Sequence, residues 1–62
     1  MPFINVKLIK NEKNKAKKAE LIRRLTEVMT EVMDKPPAST HVVIEEIDAQ
    51  DWGVAGIQIS ER

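Results

Sequence analysis

Apolar and polar residues alternate from the start of the chain, in Phe3-Ile4-Asn5-Val6-Lys7-Leu8-Ile9. Successive side chains of a strand point to opposite faces. Ile4, Val6 and Leu8 therefore share one face, and Phe3, Asn5, Lys7 and Ile9 the other. This predicts a strand over residues 2–9. The polar run Lys10 to Asn14 reads as a loop, with Asn14 placed as the helix N-cap. The period then changes. At 100° per residue, Leu21, Ile22, Leu25, Val28, Met29, Val32 and Met33 fall within an arc of about 140°. Arg23, Arg24, Glu27, Thr30 and Glu31 lie outside it. An amphipathic helix from Lys15 to Met33 is expected, with its methionines as core filler. Lys35-Pro36-Pro37 stops it, because proline lacks an N–H and forces its predecessor toward extended backbone.

Alternation returns from Thr40 to Ile47. Val42, Ile44 and Glu46 share a face; His41, Val43, Glu45 and Ile47 share the other. Two strands joined through a helix make a β-α-β unit, which implies parallel strands and a right-handed crossover. A polar turn at Asp48 to Asp51 precedes Trp52-Gly53-Val54-Ala55-Gly56-Ile57-Gln58-Ile59. Its two glycines suggest a bent hairpin or bulge. The expectation is one α+β domain over residues 1–62, a β-α-β subunit with a C-terminal hairpin. Two strands under one helix leave a sheet face and both edges open. Symmetric pairing of two subunits repairs this, giving a four-stranded sheet with two helices on one face.

Composition sharpens that expectation. A chain of 62 residues buries only about 60% of its unfolded surface and is marginal alone. Small domains add disulfides, metals or partners. There is no cysteine and only one histidine, His41, so disulfides, thiolate metal sites and histidine clusters within one subunit are excluded. Oligomerisation remains. No apolar run approaches the roughly 20 residues of a membrane span, and no signal peptide is visible. A cytoplasmic protein without membrane contact is expected.

The net charge is zero but uneven. Lys7, Lys10, Lys13, Lys15, Lys17, Lys18, Arg23 and Arg24 face only Glu12 and Glu20 within the first part of the chain. From Glu27 to Asp51 the balance is acidic, with Lys35 the lone cation. Subunit docking, attraction of an anionic substrate and nucleic-acid binding all use such asymmetry. Phe3 and Trp52 are the only aromatic residues, and a nucleic-acid partner is not expected.

No phosphate loop or nucleophile elbow is present. Four features carry candidate chemistry. Pro2 follows Met1, and removal of Met1 would leave a secondary amine at the head of a strand. An α-amino group titrates near about pKa 8, and cations or burial lower it. The plainer reading is a proline that starts a strand. Lys10, Lys13, Lys15, Lys17 and Lys18 gather around a helix N-terminus, where the macrodipole is already positive. They suit an anionic substrate, a depressed Pro2 amine pKa, or an acidic neighbour. His41, at the start of the second strand, could donate to a carboxylate or stand exposed. Trp52 could wall an apolar pocket or pack an interface.

Taken in order, these residues have a pattern. Met1-Pro2 opens a strand, the helix carries Leu21-Ile22-Arg23, Asp34-Lys35-Pro36 stops it, and Trp52 to Gly56 reads aromatic-Gly-x-x-Gly. Over nearly the whole chain this resembles the 4-oxalocrotonate tautomerase family. The resemblance implies β-α-β subunits paired into dimers, and three dimers in a homohexamer. It implies a cofactor-free isomerase in which the amino-terminal proline, Pro2 here, is the general base for enol–keto proton transfer on a small anionic 2-hydroxy or 2-oxo acid. It places Lys13 at the family's first substrate-binding arginine, with Glu12 the neighbouring alternative. It places His41 at the second arginine and Trp52 at the pocket-wall phenylalanine. With these exchanges weaker activity on a dicarboxylate is expected, and a monocarboxylic enol such as phenylenolpyruvate, or an unknown substrate, is the alternative. The competing expectation is an oligomeric scaffold that keeps the fold without catalysis.

Overall fold

The computed structural model describes residues 1–62. Strand β1 spans Phe3–Ile9, helix α1 Lys18–Met33 and strand β2 His41–Ile47. The two strands pair in parallel from Phe3↔His41 to Ile9↔Ile47. This is the expected β-α-β unit, with each strand starting one residue later than expected and ending where expected. Ile4, Val6, Leu8, Val42 and Ile44 are half-buried on the helix side, as are Leu21, Leu25 and Met29 of α1. Glu46 sits on this apolar face too. Lys18 Nζ meets its Oε1 at 3.2 Å, so the charge is paired where helix and strand meet.

The approach to the helix differs from expectation. The chain enters through a 3₁₀ stretch, Glu12–Lys17, and becomes α-helical only at Lys18. The cap is Asn11, not Asn14: Asn11 Oδ1 accepts from the Lys13 N–H at 2.9 Å. Asn14 instead donates its side-chain amide to Ile9 O at 3.3 Å, tying the turn to the end of β1. At the other end Asp34 adopts a left-handed conformation (φ 55°), and its N–H reaches Thr30 O at 3.1 Å, an αL cap ahead of the prolines.

The Trp52–Ile59 segment is a hairpin. Strands β3 (Gly53–Val54) and β4 (Ile57–Gln58) are antiparallel. The turn places Ala55 at φ 55° and Gly56 at φ 81°. Positive φ at both central residues matches the right-handed twist of a tight hairpin. Glycine takes this conformation freely, whereas alanine is strained there. We expect Ala55→Gly to raise stability by about 0.5–1 kcal/mol, read as an upward shift of the thermal midpoint. A lower midpoint would show that Ala55 is not strained.

No residue of the single chain is fully buried, and its accessible surface is 4999 Å². A compact monomer of this mass would expose about 4,100 Å². The radius of gyration is 14.5 Å, against about 11 Å for a compact chain of this length. The thinnest dimension is 14 Å, one helix laid on one sheet. Phe3 and Val43 stand exposed on the sheet face away from α1, and Val28, Val32 and Met33 on the helix. The seven apolar positions of the helical arc thus divide: Leu21, Leu25 and Met29 cover the chain's own sheet, and the rest are left for a partner. No helix is long and apolar enough to cross a membrane.

On the open sheet face Lys7 and Glu45, in register across the strands, form an exposed ion pair. The Lys7 ammonium holds the Glu45 carboxyl below the usual carboxylate range, mainly through their hydrogen bond. A lowered folded-state pKa stabilises above the ordinary carboxylate range, and the contribution is lost as pH falls through the lowered value. Wild type and Glu45→Gln should therefore differ in urea midpoint at pH 7 and converge as the pH falls through the lowered value. The pair is exposed in the single chain, where such a difference is small; a partner covering this sheet face would enlarge it. A gap that widens on acidification would contradict the assignment.

Candidate active site

Pro2 is half-buried at the head of β1. Its carbonyl accepts from the His41 N–H at 2.9 Å, which fixes it against the start of β2. Met1 is 91% exposed, so its removal breaks no strand pairing and bares the Pro2 nitrogen on an anchored residue. His41 lies in register with Phe3, exposed on the open sheet face. These two candidates share the amino-terminal end of the parallel sheet.

Lys13 and Trp52 occupy the other end. The seven residues of β1 separate Pro2 from the loop to Lys13 by about 20 Å at the rise of a strand. That loop is pinned to the end of β2, where Lys10 N–H donates to Ile47 O at 2.8 Å. Lys13 sits in the 3₁₀ stretch, its backbone N–H satisfied by Asn11 and its ammonium in no ion pair. Trp52 caps the short turn Ala49–Asp51 that follows β2. It is half-buried, and its carbonyl accepts from Ile59 N–H at 2.8 Å, closing the base of the hairpin.

One chain thus brings together Pro2 with His41, and separately the ends that carry Lys13 and Trp52. It does not bring the four to one place. Within one chain this separation keeps the lysine cluster away from the Pro2 nitrogen. Parallel strands put both amino ends at one edge and both carboxyl ends at the other, so lysines that follow β1 cannot reach the residue that precedes it. No group of three or more His, Cys, Asp or Glu side chains is disposed to hold a metal ion.

A family model described as "Tautomerase enzyme" matches residues 2–62, beginning at Pro2. The chain belongs to the tautomerase family. Among curated tautomerases, a probable tautomerase of Dickeya dadantii is 34% identical over 62 residues, covering 100% of this chain and 92% of that protein. A probable tautomerase of Halalkalibacterium halodurans is 37% identical over 62 residues, covering 100% of both. Among solved structures, DmpI from Helicobacter pylori superposes with a TM-score of 0.89 at 32% identity, covering 98% of this chain and 100% of that one. A heterohexameric 4-oxalocrotonate tautomerase from Chloroflexus aurantiacus superposes with a TM-score of 0.87 at 28% identity, covering 98% and 97%. The β-α-β fold is shared with these tautomerases, and family membership supports an isomerase-type activity.

Two residues that shape this tautomerase's candidate site were not singled out from sequence. Asn11 falls within the loop expected for Lys10 to Asn14, although an asparagine followed by an acidic residue is a helix-start signal. Glu46 continues the alternation of its strand on the face of Val42 and Ile44. Its place on the apolar face was the sign that a cation, Lys18, had to meet it.

Proposed function

We propose that this protein is a cofactor-free tautomerase that uses Pro2, freed by removal of Met1, as general base. The observation that carries the reading is that the family match begins at Pro2, which the His41 N–H holds at the head of β1. A neutral secondary amine takes the proton from the enol hydroxyl of a small 2-hydroxy acid. It then returns a proton to a carbon of the conjugated chain, leaving the 2-oxo acid. Proton number is conserved and no redox step occurs.

Lys13 holds the substrate carboxylate. Because Lys13 lies at the far end of its own chain, the lysine that serves a given Pro2 comes from a neighbouring subunit. His41 faces the other end of the substrate, and Trp52 walls the pocket. Lysine is a point charge without the bidentate fork of arginine, and His41 lacks a permanent charge. A monocarboxylic enol acid therefore fits at least as well as a dicarboxylate. The large exposed surface, the open sheet face and the hexameric C. aurantiacus relative support a homohexamer built as three dimers, each with a four-stranded sheet.

The test is ketonisation of 2-hydroxymuconate and of phenylenolpyruvate, followed by ultraviolet absorbance on protein whose intact mass lacks Met1. Turnover that depends on Pro2 supports the reading. An intact oligomer with no Pro2-dependent turnover of either acid favours a scaffold that keeps the fold without the chemistry.

A further inference from the structure

The cations between Lys7 and Arg24 fall into two sets. Lys7 pairs with Glu45, Lys18 with Glu46, Arg23 with Glu27 and Arg24 with Glu20. Lys10, Lys13, Lys15 and Lys17 have no carboxylate within 4.0 Å. All four lie in or beside the Glu12–Lys17 3₁₀ stretch at the carboxyl end of the sheet, and each is exposed. The unpaired cations of this span are therefore gathered in one place, around the residue proposed to hold the substrate, and outnumber the one carboxylate of the stretch, Glu12, four to one.

The geometry of that stretch decides what the lysines can do. A 3₁₀ helix turns about 120° per residue and eclipses positions i and i+3. Lys13, Lys15 and Lys17 therefore leave the axis in three different directions. The surface agrees. Lys15 lines a polar depression with Asn11, Glu12, Lys18 and Glu46, whereas Lys17 lines a separate one with Leu8, Asn14, Lys18 and Leu21. Lys13 shares its direction with Ala16, whose methyl leaves it unobstructed. Three splayed ammonium groups cannot grip one carboxylate together. They can create a common field, because the stretch spans only about 12 Å, close to the screening length at moderate salt.

We infer that Lys10, Lys15 and Lys17 form an electrostatic funnel that draws a small carboxylate anion toward Lys13. This rests on the reading that the site takes an anionic acid. It adds three residues that act on substrate capture without touching the reacting atoms. A long polyanion is a poorer match, since the basic stretch is two short turns with a single aromatic residue, Trp52, at its end of the sheet.

The test is calorimetric binding of muconate, a stable unsaturated dicarboxylate without the enol hydroxyl, to Met1-free protein. We expect the wild-type Kd to weaken about tenfold between roughly 10 and 200 mM sodium chloride. In Lys15→Gln/Lys17→Gln the change should fall to about threefold. Lys15→Arg/Lys17→Arg, which keeps both charges, should restore the wild-type slope. Equal salt slopes in wild type and the glutamine variant would overturn the inference, and so would absence of binding at low salt. Salt-dependent binding without Pro2-dependent turnover would sustain the funnel and remove the catalytic reading, so the two fail separately.

Discussion

Pro2→Ala protein should ketonise 2-hydroxymuconate about 10²–10⁴-fold more slowly than wild type, the usual contribution of a positioned base. Alanine leaves a primary amine in the same place, so the residual rate reports the geometry that remains. The fold should persist, because the backbone carbonyl that accepts from His41 is unchanged. Lys13→Ala should also be slow, by about 10–100-fold, the worth of a charge-assisted hydrogen bond to the substrate. The arrangement of the ends makes a sharper demand. If Pro2 and Lys13 of one site come from different chains, the two slow variants unfolded and refolded together should recover about one quarter of wild-type activity, the fraction of sites that draw both intact residues under random mixing. Two variants damaged at one intrachain site would regain nothing. A mixture no faster than the mean of its parents would place proline and lysine in the same chain, against the roughly 20 Å that β1 puts between them.

Val43→Lys should abolish the folded state rather than merely weaken an interface. Val43 lies on the open sheet face in register with Asn5 and is 38% exposed in the single chain. Pairing of subunits over this face would bury an unpartnered ammonium, a penalty of about 3–5 kcal/mol. A chain in which no residue is fully buried has no internal core to retreat to. Sedimentation should show monomers, and far-ultraviolet circular dichroism should show that helix is lost with the assembly. A monomer with native helix content would prove that the single chain folds alone. Wild-type activity should likewise fall away on dilution, because folding and association are one equilibrium.

Much of this architecture was legible in the residues. Alternation at Ile4, Val6 and Leu8 and again at Val42 and Ile44 placed both strands, since a one-residue slip would invert every side chain. Pro36 and Pro37 placed the end of the helix, and Gly53 and Gly56 the hairpin. The start of the helix was less legible because residues 11–17 carry no apolar rhythm. Two asparagines three apart, Asn11 and Asn14, both suit a cap, and hydrogen bonding decides between them. The helical arc of seven apolar residues was visible as one stripe. Its division between the chain's own sheet and a partner depends on sheet width, which a linear pattern does not carry. The separation of the four site residues into two ends follows from the parallel pairing that the β-α-β pattern already implies, because Pro2 and His41 precede their strands' bodies while Lys13 and Trp52 follow them.

That separation has an evolutionary consequence. On the proposed reading, the amino end of each chain would supply the base, and the carboxyl end of the sheet would supply the anion-binding group to a different site. After gene duplication, one copy could lose its lysine turn while the other lost its proline. A mixed assembly would still contain complete sites. Division of labour between paralogues is therefore close at hand for a chain built this way, and an inactive-looking sister gene would deserve testing together with its partner before it is counted as dead.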